Sequence, residues 1–159
     1  MLRNLLKLKP RDVPVMVALR NTAAVTLPLA IGIASGHMNI GLGVSAGALN
    51  TMFSDQPGAY RLRMRRMLYA AAAAGVSAFV GYCLGGNDWL IAMAALVWGV
   101  GGGLLVALGP DAGRIGLISM ILLVVTSSDP RTPAQAIGPA LLIFGGGVLS
   151  TLFALAGWP

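Results

Sequence analysis

The chain has 159 residues, of which 57% are hydrophobic and 10% charged, and its formal net charge is +6, where a soluble domain carries about 25% charged residues. Mean hydropathy is +0.81, which excludes an ordinary soluble protein, and the length leaves no room for a soluble catalytic domain beside a helical bundle. Eleven Lys/Arg face five acidic residues, all of them Asp. In a soluble protein that surplus would suggest nucleic acid; here its placement along the chain explains it, and no nucleic-acid partner is expected. Cys83 is the single cysteine, so no internal disulfide can form, and lone His37 without a Cys/His cluster offers no metal site. No cofactor is implied.

In chain order, residues 1–12 come first. Leu2, Leu5 and Leu6 fall at helical spacing opposite Arg3 and Lys7, the pattern of a short basic amphipathic segment in the membrane interface. Residues 13–159 then form an almost continuous apolar ribbon. A spanning helix needs about 20 mainly apolar residues, and the ribbon divides into six segments at about 15–35, 39–54, 67–85, 89–108, 114–127 and 134–156. The fold class is therefore all-α, a polytopic membrane protein with six transmembrane helices. The fifth span is short and needs its neighbours or a thin bilayer to cross. Gly and Pro punctuate the connections, as tight turns require.

The arginines orient the bundle. Arg3, Lys7, Lys9 and Arg11 precede the first span, Arg61, Arg63, Arg65 and Arg66 lie between the second and third, and Arg114 follows the fourth. All nine fall on one side, and Arg131 falls on the other. The positive-inside rule then puts both termini in the cytoplasm, as an even number of spans requires. An internal echo accompanies this: Ile40-Gly41-Leu42 leads to Ser54-Asp55-Gln56-Pro57, and Ile115-Gly116-Leu117 leads to Ser128-Asp129-Pro130. Two inverted three-helix repeats would produce it. Ordinary turn chemistry accounts for it as well, and the two explanations stay open.

Gly43-Val44-Ser45-Ala46-Gly47 matches the G-x-S-x-G pattern of serine hydrolases, but that elbow needs a strand before it. His37 is eight residues from Ser45, about 12 Å along a helix, where a Ser–His pair must approach to about 3 Å. No enzyme is expected. Close helix packing explains the glycines better: Gly32/Gly36, Gly43/Gly47, Gly81/Gly85 and Gly99/Gly103 all have G-x-x-x-G spacing. So many glycine faces also point to association with further copies of the chain.

Arg20 and Asn21 fall early in the first helix, while Gly43, Gly47, Asn50 and Ser54 share a face of the second. Asp55 follows at the expected depth of Arg20. An ionisable group within a span marks a candidate site, so Arg20, Asn21, Asn50 and Asp55 are the candidate anion pathway. A structural pair between Arg20 and Asp55, or snorkelling of Arg20 to the headgroups, is the competing explanation. Arg61, Arg63, Arg65 and Arg66 form a basic cluster at the inner mouth that gathers anions, although topology and anionic lipid demand the same residues. No Asp or Glu lies mid-membrane; Asp55 and Asp129, one at each mouth, are the available carboxylates. Trp89 and Trp158 read as interface anchors.

Ala18-Leu19-Arg20-Asn21-Thr22-Ala23, Ser54-Asp55-Gln56-Pro57-Gly58 with Arg61 to Arg66 behind it, and Gly157-Trp158-Pro159 together resemble the fusaric acid resistance family. That family includes aromatic acid exporters and inner-membrane proteins of the YccS type, with plant malate channels as distant relatives. The resemblance covers almost the whole chain. It implies a six-helix inner-membrane block exporting aromatic carboxylates or similar organic anions, working with a periplasmic membrane-fusion partner. It also implies that Arg20 is the family's first-helix arginine and that Asp55 to Arg66 is its cytoplasmic loop. Relatives continue past the Trp-Pro into a cytoplasmic domain, so a chain ending at Pro159 is expected to be a fragment or a short member. The alternatives are a passive anion channel and a non-transporting anchor or assembly module.

Overall fold

A computed structural model describes residues 15–56 and 58–156. The expected interfacial segment at 1–12, Pro57 and the Gly157–Pro159 terminus lie outside the described residues. Among the described residues six helices follow one another: α1 (Val15–Ala34), α2 (Met38–Met52), α3 (Tyr60–Leu84), α4 (Asp88–Val106), α5 (Pro110–Ser127) and α6 (Pro133–Ala156). Five of them, all but α2, are long and apolar enough to cross a membrane. The all-α class is as expected.

Two helix starts differ from the predicted spans, for the same reason. The third begins at Tyr60 rather than 67, so Arg61, Arg63, Arg65 and Arg66 stand on the first turns of α3 and not in a loop. The fifth begins at Pro110 rather than 114. Proline is suited to a first helical turn, where no N–H is needed, and an acidic residue such as Asp111 favours the helix N-terminus. Hydropathy alone registers neither polar turn. The short helix is consequently α2, with 15 residues, or about 22 Å, and not α5.

The turns are set by local chemistry. α1 closes in a Schellman motif, with the His37 N–H on the Gly32 carbonyl at 2.8 Å and the Gly36 N–H on the Ile33 carbonyl at 3.2 Å. Gly36 sits at φ 73°, the left-handed position that glycine takes without strain. Asn87 caps α4, its side chain accepting from the Trp89 and Leu90 N–H groups at 3.1 and 3.3 Å.

At the centre α3 and α6 run antiparallel. α2 lies along α6, α5 lies along α3, α1 packs on α2 and α6, and α4 packs mainly on α5. Backbones meet closely because glycines stand at the crossings. A methyl on Gly47 would fall on the Ile143 carbonyl, and one on Gly146 on the Val44 carbonyl. Gly81 and Gly85 stand likewise against the carbonyls of Leu123 and Ser127, and Gly32/Gly41 and Gly102/Gly116 join the outer hairpins. Of the predicted packing glycines, Gly43 meets the Leu142 side chain and Gly47 fits the expectation, while Gly99 meets only the tip of Met120 and Gly103 meets nothing. Gly102, not Gly103, faces α5.

The core is correspondingly built of small side chains. Met67 and Leu123 are the largest that are fully buried, among Ala71, Ala74, Ala78 and the hydroxyls Thr51, Ser77 and Thr151. Thr51, Thr126 and Thr151 each donate to their own helix four residues back, to Gly47, Leu122 and Gly147, which satisfies the buried hydroxyl. Large apolar side chains such as Ile31, Ile33, Leu96, Val97, Val100 and Leu104 point outward. This inside-out distribution, small within and bulky without, suits contact with lipid.

Candidate functional site

Polar side chains gather at the two ends of the bundle. At one end, Asp55 follows α2 and turns inward between α1, α3 and α6. Arg63 grips it as a fork, with Nε on Oδ1 and Nη2 on Oδ2, the latter at 2.7 Å. Arg20 donates Nη2 to the same Oδ2 at 2.8 Å and Nη1 to the Ala154 carbonyl at 3.1 Å. The side chains are 11% (Arg20), 5% (Asp55) and 6% (Arg63) exposed. Beside them the Arg20 Nε and the Ser54 Oγ are buried without a hydrogen-bond partner. Charge pairs so desolvated hold only when geometry and hydrogen bonding are good, and the bidentate fork supplies both.

The predicted site residues separate here. Arg20 and Asp55 meet, as the competing structural explanation anticipated. Asn21 is half-buried on α1, and Asn50 turns its Nδ2 back to the Ala46 carbonyl at 2.8 Å; neither joins the group. The basic cluster divides as well. Arg63 is buried on Asp55, Arg66 reaches Asp111 of α5 at 2.9 Å, and Arg65 bonds the Tyr69 hydroxyl at 3.3 Å, while Arg61 is exposed. Arg114 lies 3.8 Å from Asp111, which places it at the same end as predicted. Helical phase could have singled out Arg63: it shares the buried face of Met67, Ala70, Ala74 and Ser77.

At the opposite end Arg131 donates Nε and Nη2 to Oδ2 of Asp129, at 2.9 and 2.6 Å. Its backbone N–H bonds the Tyr82 carbonyl at 2.8 Å, and its guanidinium lies 5.2 Å from the centre of the Tyr82 ring, within cation–π range. A cavity of about 360 Å³ opens here between α2, α3, α5 and α6, lined among others by Asn39, Tyr82, Thr126, Arg131 and Leu142. Sequence reasoning noted Asp129 as a turn residue and missed the cavity, because it depends on four helices converging.

Ser45, the serine of the hydrolase-like pattern, donates to the Val25 carbonyl of α1 at 2.7 Å. Pro28 has no N–H to give the Ala24 carbonyl four residues back, and Ser45 bonds the neighbouring carbonyl of that turn. His37 holds the Ser35 carbonyl at 2.8 Å.

In comparisons with known proteins, the chain is 29% identical over 134 residues to an uncharacterized membrane protein, YvaC, of Bacillus subtilis (strain 168); the match covers 82% of this chain. The chain spans only 21% of the length of that relative. No family model matches it, and no solved structure does. Five helices apolar enough to cross a bilayer and a membrane-protein relative agree: the chain is a helical membrane protein.

Proposed function

We propose that the chain is a non-enzymatic transport block of the bacterial inner membrane that moves organic anions outward. In this reading it has six spans, cytoplasmic termini and two inverted three-helix repeats, and belongs to the fusaric acid resistance family. The observation that carries it is the buried Arg20–Asp55–Arg63 group, two guanidiniums on one carboxylate inside an apolar bundle. Buried ionisable groups are costly in a membrane and are kept where an ion path needs them. The end bearing this group also carries Arg61, Arg65, Arg66 and Arg114, against Arg131 at the other, which favours a cytoplasmic face there and concentrates anions before it. Substrate class, outward direction, a periplasmic membrane-fusion partner and self-association come from the family resemblance and the glycine faces.

Packing supports the repeat. α1 packs on α2 as α4 does on α5, α2 lies along α6 as α5 does along α3, and α3 and α6 pair with each other. Gly41 and Gly116, the centres of the two Ile-Gly-Leu echoes, occupy matching hairpin contacts with Gly32 and Gly102. At each end the aspartate that follows the second helix of a half is ion-paired: Asp55 with Arg20 and Arg63, Asp129 with Arg131. In this arrangement α2, though short, crosses where its neighbours and a locally thinned bilayer make up the length.

The test is efflux of 4-fluorobenzoate from phosphatidylethanolamine/phosphatidylglycerol vesicles containing the protein. Arg20→Ala should cut the rate at least about tenfold, the scale of a 1.4 kcal/mol change, at unchanged protein level, with Arg20→Lys retaining part of it. Flux indifferent to Arg20→Ala and Asp55→Asn would leave an anchor or assembly module. Flux that follows voltage and needs no pH gradient would make it a channel, a reading favoured by the lack of a mid-membrane carboxylate among the described residues.

A further inference from the structure

We infer that the cavity at the Arg131 end is an outward-facing binding site for a small carboxylate with an aromatic or branched body. The inference deepens the transport reading and rests on it and on the repeat. At the Asp55 end Thr51, Met67, Ala71 and Ala154 are 0–1% exposed; at the Arg131 end a void of about 360 Å³ opens beside Tyr82 and Pro139, with the buried Thr126 and Ile143 in its wall. The Asp55 end is thus packed around an ion-paired group, and the Arg131 end holds a cavity beside a single arginine.

The chemistry of the open half selects its ligand. Its volume falls within the range of small-molecule sites, which are about 300–1,000 Å³ and mostly apolar with a few placed polar groups. Arg131 is the one Lys/Arg at this end among the described residues. Both of its bonded nitrogens rest on a single oxygen of Asp129, whose side chain is 60% exposed. Exposed pairs of this kind are worth about 0–1 kcal/mol, so a ligand carboxylate can take the guanidinium fork from Asp129, which swings to water. The Arg131 backbone bond to Tyr82 holds the segment in place throughout. Tyr82, Leu142 and Pro139 then line the space for the body of the ligand, with Asn39 and Thr126 as polar groups on the rim and wall. A bare inorganic anion would leave that wall unused.

The probe is 4-fluorobenzoate, its binding followed by fluorine NMR on the full chain in phosphatidylglycerol-containing nanodiscs. Saturable binding is expected. It should weaken at least about tenfold, or 1.4 kcal/mol, in Arg131→Ala and in Leu142→Trp, which fills the cavity and keeps the arginine. Asp88→Asn, at the same end but outside the cavity, should bind as wild type. Wild-type affinity in both variants, no saturable binding, or tighter binding of 4-fluorobenzylamine overturns the site. The vesicle efflux assay separates the two readings. Efflux without this binding removes the site and keeps transport, and binding without efflux of any organic anion removes transport and keeps the site.

Discussion

At the residue scale, glycines that look alike in the sequence have different jobs. Gly47 lies against the Ile143 carbonyl, where a Cβ finds no room, and Gly103, spaced like it in a G-x-x-x-G pair, has open space around it. Gly47→Ala must push α2 off α6, which by the usual penalty of overpacking costs about 1–3 kcal/mol. Gly103→Ala meets nothing and gains helix propensity, about 0.5–1 kcal/mol in favour of the variant. Thermal unfolding in detergent should therefore move in opposite directions for the two. A loss of stability at Gly103 would mean that its face is covered. Spacing names the candidates, but which glycine faces a backbone is decided by the rotation of the helix, and G-x-x-x-G does not encode that rotation.

At the element scale, the two aspartates that end matching turns differ in burial, and their removal should differ accordingly. Asp55 is 5% exposed between α1, α3 and α6 and accepts from two arginines. Asp55→Ala leaves buried guanidiniums without their carboxylate, a change of about 3–5 kcal/mol for a buried pair. Asp129→Ala, at a site 60% exposed, should cost about 0–1 kcal/mol. Denaturation of the two variants side by side checks the difference; equal losses would show that the Asp55 group is solvated. How much of this was legible follows the same physics. Apolar runs located all six helices, and their register set Arg20 and Asp55 at one depth, so that pair could be read from the chain. Hydropathy makes residues 55–66 a loop and so does not tell Arg63 from Arg61, Arg65 and Arg66. A helix whose first two turns are cationic carries no hydropathy signal, and its buried stripe appears only once the helix is begun at Tyr60. The Tyr82–Arg131 cavity joins residues 49 positions apart on separate helices, a convergence that no local pattern announces.

At the scale of the whole molecule, one end is packed around an ion-paired group and the other holds a cavity, and the proposed repeat gives that asymmetry a direction. If the two halves of the bundle are interchangeable in kind, the present state has a partner in which the Asp129 end closes and the Asp55 end opens. The balance between the states depends on contacts made in only one of them. The Arg20–Asp55–Arg63 group is such a contact, and Asp55→Asn keeps its shape while removing the charge. In a Cys83→Ala background, Ala70→Cys places a thiol on the buried face of α3 near this end, and Asn39→Cys places one on the rim of the open cavity. A membrane-impermeant maleimide added from the cytoplasmic side should react with Ala70→Cys about tenfold faster once Asp55→Asn is introduced, each factor of ten standing for about 1.4 kcal/mol of shifted balance. Added from outside, it should react more slowly with Asn39→Cys in the same variant, because the population gained at one end is lost at the other. Faster labelling at both ends would indicate general loosening, and rates unchanged at both would make the repeat a matter of architecture, with no exchange between the two halves.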